Sequence, residues 1–461
     1  MTFDITQYRE FIAAKRAQTE GVGFELSGDW PTLFPHQRAT LDFVCQKGRA
    51  AAFLDTGLGK SRVEAAAADE FRRASNKPSL ILTPLAVARQ MQRECEAIGV
   101  DSRVVRDDGE VWSGVNIANY ERLPKLDVSR FGGVVLDESS ILKSFTGSTK
   151  RALVESFQRT PYRLAATATP APNDHMEIGQ HSEFLGVMPG PEMLSRWFIS
   201  DQSTMGGYRL KGHAVRSFWQ WVASWSRAAG MPSDLGGNDA GFILPPLEYQ
   251  VHTVRSDVSK GAADGLLFRI PDQSATSIHQ EKRMTLPARV ALSADIANSA
   301  DGAVIVWCET NDESSALAKA IPDAIEVHGS MSLATKEAAL DAFTFGEKRV
   351  IVTKPKLAGF GLNWQHANTV VFASITHSYE QHYQAVRRSW RFGQTKPVTA
   401  HVVISDTEAP IWANVRRKAE DHDHMKRNMT RAMREAQNDA ILRVAYTKPQ
   451  SVTLPAFMAD G

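Results

Sequence analysis

The chain has 461 residues, 43% hydrophobic and 23% charged, and 53 Lys+Arg against 52 Asp+Glu leave a formal net charge of +1. At about 150 residues per domain this length predicts two to four folding units, and the apolar content excludes a disordered chain. The charge balance excludes a global field for a polyanion, so any grip on nucleic acid must be local. Cys45, Cys95 and Cys308 show no C-x-x-C spacing, which argues against a disulfide scaffold and a zinc site. The N-terminal stretch has no apolar signal core, and no run approaches the ~18 to 20 apolar residues of a membrane span. A soluble, cytoplasmic protein is expected.

In chain order, Ile5, Tyr8, Phe11 and Ile12 fall at helical spacing, and Ala39, Leu41, Phe43 and Val44 repeat the pattern before AAFLDT reads as a short buried strand. Strand and helix then alternate. LDTGLGKS runs into the helix-forming RVEAAAADEFRR, SLILTP into LAVARQMQRECEAI, and VNIANY, GVVLDE and YRLAATATP supply three further strands. This alternation predicts a parallel sheet with helices on both faces. From about 189 to 250, Gly and Pro punctuate a stretch with Trp197, Trp219, Trp221 and Trp225. It reads as an insertion and linker whose tryptophans form a small core rather than a base-stacking surface. Alternation returns in AVIVWCET, DAIEVH, KRVIVTK, TVVFAS and TAHVVIS, a second α/β unit. Residues 411 to 450 read as helix, with nine Lys+Arg against five acids. The expected division is 1–188, 189–250, 251–410 and a basic extension 411–461.

In Asp55-Thr56-Gly57-Leu58-Gly59-Lys60-Ser61 a strand ends, a glycine turn follows, and Lys-Ser opens a helix. Gly57 and Gly59 let backbone amides approach phosphate oxygens, and the helix N-terminus adds partial positive charge. Lys60 is placed to neutralise β and γ phosphates and Ser61 to ligate Mg²⁺. Leu54 stands where the strict phosphate-loop pattern has its first glycine. The apolar strand Val134-Val135-Leu136 ends in Asp137-Glu138, 77 residues after the lysine. Asp137 would hold Mg²⁺ through water while Glu138 activates the attacking water. Together these read as an ATPase.

Further motifs follow in order: Phe34-Pro35-His36-Gln37; Thr83-Pro84-Leu85 with Arg89 and Gln92; Asn119-Tyr120-Glu121; Asp137-Glu138-Ser139-Ser140; Thr167-Ala168-Thr169-Pro170; Gly359-Phe360-Gly361-Leu362-Asn363; and Gln384 to Gln394. With the phosphate loop, this series over roughly 34 to 404 resembles the superfamily 2 helicase and translocase engines. Within them it is similar to the Swi/Snf-type double-stranded DNA translocases, especially compact phage and bacterial forms. The resemblance implies an α/β fold of two tandem RecA-like lobes, with a helical Trp-rich insertion and a C-terminal helical extension. It implies ATP and Mg²⁺ in the cleft, with Gln37, Gly57, Leu58, Gly59, Lys60, Ser61 and Gly361 at the nucleotide.

Gln384, Arg388 and Arg391 are spaced i, i+4 and i+7, which predicts one helix face carrying an amide and two guanidiniums. Opposite a phosphate site, the two arginines read as fingers for the γ-phosphate. By resemblance, Thr83, Pro84, Arg89, Asn119, Tyr120 and Lys143 track one DNA strand across the first lobe, and His328, Gly329, Lys354 and Lys356 across the second. Contacts to backbone phosphates imply sequence-independent, salt-sensitive binding, and a monomer is expected. Where relatives carry Ala-His or Ala-Asp, this chain has Ser139-Ser140. Lys354-Pro355-Lys356 stands in place of Ser-Thr-Arg, and Trp364, read as core, replaces an aliphatic residue. A translocase on duplex DNA is the main reading. A strand-separating helicase on DNA or RNA, and an ATP-switched clamp, are the alternatives. Two lobes leave little room for another enzymatic domain, so a partner protein is expected to supply the purpose.

Overall fold

The computed structural model describes residues 22–84, 87–143, 148–171, 175–201, 207–255, 275–358 and 362–443. The expected N-terminal helix at 5–18 and the expected nucleotide contact Gly361 lie outside them. Strands of the first lobe are β1 (Arg49–Leu54), β2 (Ser79–Thr83), β3 (Ser102–Val104), β4 (Val115–Asn119), β5 (Gly133–Asp137) and β6 (Tyr162–Ala166). An antiparallel hairpin of β7 (Phe198–Asp201) and β8 (Gly207–Leu210) precedes β9 (Ser226–Ala229). The first sheet runs β3-β4-β2-β5-β6-β1-β9, with every pairing parallel. Side-chain alternation explains its two buried faces: Ala51 and Phe53 enter one core, while Ala50, Ala52 and Leu54 enter the other.

The second lobe comprises β10 (Leu247–Val254), β11 (Val304–Trp307), β12 (Ala324–Val327), β13 (Val350–Thr353), β14 (Thr369–Phe372) and β15 (Val398–Ser405). They order as β10-β15-β14-β11-β13-β12, again all parallel. Ile305 and Trp307 enter one core, Val304 and Val306 the other. Trp364 is fully buried and donates from Nε1 to Thr344 Oγ1 at 2.9 Å, a core residue as its setting predicts. These two parallel α/β lobes are the tandem RecA-like architecture.

The expected insertion and linker at 189–250 is woven into both sheets, since β9 pairs with β1 and β10 pairs with β15. Its short strands lie among Gly, Pro and Trp and carry little alternation, so periodicity passed over them. Helix Val215–Trp225 packs Phe218, Trp219, Val222 and Trp225 into the first lobe's core. Trp197 stacks on Trp221 with centroids 4.7 Å apart.

Helix Ala409–Arg443 spans 35 residues, about 50 Å at 1.5 Å per residue. It begins in the second lobe, where Ile411, Trp412 and Val415 join the core. Met429 and Met433 then join the core of the first lobe. One continuous helix therefore ties the two cores together. No helix among the described residues is long and apolar enough to cross a membrane.

Burial pulls the imidazoles of His181, His382 and His422 down to about 4. Between the unfolded value of 6.5 and that folded value, the unfolded chain binds protons that the native chain refuses. Stability is therefore intact above pH 6.5 and falls as pH drops through this window, by about 1.4 kcal/mol per pH unit for each histidine. Denaturant titrations at pH 7, 6 and 5 should show this decline, with a shallower slope in His422→Leu. An equal slope in that variant would remove His422 from the account.

Candidate nucleotide site between the lobes

The site forms where β1 and β5 end, on the carboxyl edge of the first sheet, as parallel α/β sheets place their ligands. After β1 the chain turns through Asp55 to Gly59 and enters helix Lys60–Ser75, whose alanines 65 to 68 favour helix and pack against the sheet. Gly57 and Gly59 have φ of 98° and 75°, left-handed values that glycine adopts without steric cost. A Cβ on Gly59 would stand 2.0 Å from the Gln37 amide nitrogen. Helix Pro35–Lys47 starts on a proline and brings two side chains to this loop. Gln37 Nε2 donates to the Leu58 carbonyl at 2.9 Å, and His36 Nε2 lies 3.0 Å from the same oxygen. Gln37 Oε1 accepts from the Phe34 amide at 3.0 Å, so one end of this side chain caps its own helix while the other braces the loop.

Lys60 Nζ stands 3.4 Å from Glu138 Oε1 and 3.9 Å from Asp137 Oδ1. Burial alone would lower the ammonium, yet Glu138, Asp137 and Glu64 together raise it. Glu64 is fully buried one helical turn after the lysine. Burial, then the neighbouring Asp137 carboxyl, pushes Glu64 well above the usual carboxylate range. Asp137 is also raised, chiefly by burial, with Lys60 opposing and Glu138 adding. Ser61 is half-buried in the first turn of the same helix.

Glu138 has φ 52°, a left-handed value it shares with Asn76 alone among described non-glycine residues. Such a conformation costs on the order of 1–2 kcal/mol. It turns the chain sharply at the strand end, and Thr167 Oγ1 donates to Glu138 Oε2 at 3.3 Å. Ser139 Oγ lies 3.3 Å from His181 Nδ1, whose Nε2 lies 3.0 Å from the Pro170 carbonyl. Ser139-Ser140 thus couples to the 167–170 segment through His181, a residue the motifs did not single out.

Across the cleft, helix Tyr379–Val386 holds Gln384, but Arg388 and Arg391 lie beyond its end. This corrects the expected single helix face. The next amides tighten to i→i−3 bonds, Arg388 to Ala385 and Ser389 to Val386, a common way for a helix to terminate. The guanidiniums converge by another route, since Arg388 Nη1 and Arg391 Nη1 both donate to the Leu362 carbonyl, at 3.2 and 3.0 Å. Arg388 Nη2 also donates to Gln384 Oε1 at 2.9 Å. Burial lowers Arg388 to about 10, with Glu138 and Asp137 opposing, and lowers Arg391 to about 9 with Arg388 adding. Phe392 packs directly on the phosphate loop: a Cβ on Gly57 would lie 2.9 Å from its amide nitrogen. Its ring joins Phe242 and Phe34, with centroids 4.6 and 6.4 Å away.

The residues expected at DNA divide into three groups. Thr83 and Asn119 are paired neighbours at the ends of β2 and β4, with Thr83 Oγ1 3.5 Å from Asn119 Oδ1, and Pro84 follows directly. His328 pairs with Ser330 Oγ at 2.8 Å, the Gly329 carbonyl accepts from Lys336, Lys354 reaches Asn311, and Lys356 is exposed. Tyr120 is placed differently from its neighbours in the motif. Its hydroxyl is buried and donates to the Asp137 carbonyl at 2.7 Å, so it braces the acidic strand instead of facing solvent. Arg89 forms a 2.8 Å ion pair with Glu337 of the second lobe. Lys143 ends a 3₁₀ turn, and its side chain lies outside the described residues.

Comparison with known proteins agrees with this geometry. The helicase conserved C-terminal domain family matches residues 288–393, within the second lobe. The SWI/SNF-related matrix-associated actin-dependent regulator of chromatin subfamily A-like protein 1 of Bos taurus is 22% identical over 433 residues, covering 84% of this chain and 44% of the relative. Its Drosophila melanogaster counterpart is 22% identical over 438 residues, covering 84% and 55%. The ATP-dependent helicase fft1 of Schizosaccharomyces pombe is 33% identical over 96 residues, 21% of this chain and 10% of that protein. The chain spans about half the length of the two longer matches. A helicase C-terminal domain in the second lobe, a glycine loop and acidic strand in the first, and similarity across most of the chain support one reading of the family: a Swi/Snf-type, helicase-like ATPase of superfamily 2.

Proposed function

We propose that this chain is a Mg-ATP-dependent, DNA-stimulated ATPase that moves along intracellular duplex DNA, remodelling it or displacing bound protein. One observation carries the reading: Phe392 of the other lobe packs on the Gly57 turn, the carboxylates Glu138 and Asp137 act on Arg388 beside it, and Arg391 shares the Leu362 carbonyl with Arg388. A single ammonium against Glu64, Asp137 and Glu138 fits an added cation. Ser61 and Asp137 would hold Mg²⁺, which when bound offsets charge on the β and γ phosphates. Lys60 and the loop amides bind the phosphates, while Glu138 orients and deprotonates the attacking water. Phe34 and Phe392, 41% and 37% exposed, offer apolar ring faces for a base. Arg388 and Arg391 stabilise charge on the transferred phosphoryl group once the lobes close.

DNA-phosphate contacts are assigned to Thr83, Pro84, Arg89, Asn119 and Lys143 in the first lobe and His328, Gly329, Lys354 and Lys356 in the second. Arg89 would exchange Glu337 for a phosphate. A tracked duplex stays paired, so each cycle breaks and remakes phosphate contacts without opening stacked steps at ~1.4 kcal/mol each. A partner protein would direct the movement to its task. The strand-separating reading draws on the β7–β8 hairpin, whose Ile199 and Tyr208 are exposed and have the form of a pin.

Lys60→Ala should abolish nucleotide binding or turnover, whereas Glu138→Gln should retain binding and lose about 10² to 10⁴-fold in hydrolysis. Parent-rate hydrolysis by folded Glu138→Gln would refute its assignment as the base.

Arg388→Ala and Arg391→Ala should each lower DNA-stimulated turnover roughly tenfold or more at saturating ATP, with nucleotide affinity of the open form little changed. Parent-like turnover in both would return the pair to a structural role.

Translocation is tested with a third strand bound to a duplex and, separately, a forked duplex with a labelled arm. Displacement of the third strand while the fork stays paired is expected. Fork opening without third-strand displacement would establish the helicase reading instead.

A further inference from the structure

Asp55 opens the phosphate loop, and its carboxylate is a meeting point for three parts of the chain. It is 8% exposed. Oδ1 accepts from the Thr56 amide at 2.8 Å and from the Tyr383 hydroxyl at 2.7 Å. Oδ2 accepts from Arg387 Nη2 at 2.6 Å and from Lys426 Nζ. Tyr383 and Arg387 lie one turn apart at the end of the helix that carries Gln384, immediately before Arg388. Lys426 belongs to helix Ala409–Arg443, which ties the two cores together.

Each partner is held for this contact. The Arg387 guanidinium lies 4.9 Å from the Trp390 ring centroid and 5.5 Å from that of Tyr383. His422, one turn before Lys426, packs 5.5 Å from the Tyr383 ring. On the loop side, the Asp55 amide donates to the Ala229 carbonyl at 2.9 Å, and its carbonyl accepts from Leu58 at 3.2 Å. The carboxylate is therefore fixed to the loop backbone, and its partners are fixed to the other lobe and the long helix. A buried charge with bonds of this kind is costly to leave unpaired. The contact is thus made or broken as a unit.

We propose that Asp55 is a positioning residue that sets the Arg388 and Arg391 segment in register with the phosphate loop, and that Lys426 makes the C-terminal helix part of the same closure. This rests on the proposed ATP hydrolysis between the lobes. Asp55 touches no reacting atom. It acts through Arg387, which precedes one of the two arginines and stands four residues before the other. Lys426 adds a lever: a partner that shifts the long helix would loosen the clasp and slow turnover without touching the nucleotide.

The test uses the full chain with Asp55→Asn, Asp55→Glu, Lys426→Gln and the Asp55→Asn/Lys426→Gln double variant. ATP turnover at saturating duplex DNA should fall roughly tenfold in Asp55→Asn with KM for ATP changed less than about threefold. Asp55→Glu should recover most of that loss because it keeps the charge. The double variant should fall little further than Asp55→Asn alone, since both lose one contact. Backbone amide exchange over 379–391, measured without nucleotide, should rise in Asp55→Asn and in Lys426→Gln. Parent-like turnover in Asp55→Asn, equal loss in Asp55→Glu, or unchanged exchange would each overturn the proposal. If Asp55→Asn does not fold, Lys426→Gln decides by the same turnover and exchange readouts. If the parent hydrolyses no ATP, the proposed function falls, and the exchange measurement alone decides the clasp.

Discussion

Three carboxyl groups, Glu64, Asp137 and Glu138, surround one ammonium at the carboxyl edge of the first sheet. Pairs at 3.4 and 3.9 Å are worth several kcal/mol even at an effective dielectric of ~20. One lysine still cannot offset three ionised carboxylates, and burial keeps Glu64 and Asp137 above their ordinary range. The site is therefore short of positive charge by construction. Phosphate brings more negative charge, so a productive complex requires cations from elsewhere. Within the chain, the proposed source is Arg388 and Arg391, which are buried beside a common carbonyl and lowered by that burial. Two guanidiniums held together in one lobe and an acid-rich site in the other are each costly alone and complementary when the cleft closes.

Closure has its own structural support. The Asp55 carboxylate joins loop, second lobe and C-terminal helix, and Arg89–Glu337 joins the lobes on the edge where DNA contacts are assigned. The first contact is buried, whereas Arg89 is 59% exposed in its pair. Screening makes the exposed pair weak and readily exchanged for a phosphate. The two contacts therefore suit different tasks: one holds register at the nucleotide, and the other yields to a ligand.

Much of this was legible in the residues themselves. A glycine loop after an apolar strand, a Lys-Ser helix start and an Asp-Glu strand end point to the candidate phosphate site through backbone chemistry that depends only on local order. Parallel sheets follow from strand and helix alternation. The 189–250 stretch was harder, because β9 and β10 take their partners from β1 and β15, distant in sequence. Arg388 and Arg391 were found by spacing, although the helix ends before them and a shared carbonyl brings them together. Tyr120 sits in a motif expected at DNA, yet its ring turns inward to the acidic strand. Asp55, Arg387 and Lys426 carry no local signature of their contact, since 332 and 371 residues separate the partners. Glu64 did leave a trace: a carboxylate among the buried alanines of an amphipathic helix is out of place unless a site lies beside it.

On this reading nucleic acid, acting on the lobes, completes a nucleotide site whose acid-rich half lies in one lobe and whose guanidiniums lie in the other. Steady-state ATP hydrolysis by the full chain, measured in parallel with duplex DNA, single-stranded DNA, RNA and no nucleic acid at matched salt, tests it most directly. A low basal rate and the largest stimulation by duplex DNA, declining as salt rises, are expected. A rate that no nucleic acid changes, at concentrations where duplex binding is independently observed, would contradict it.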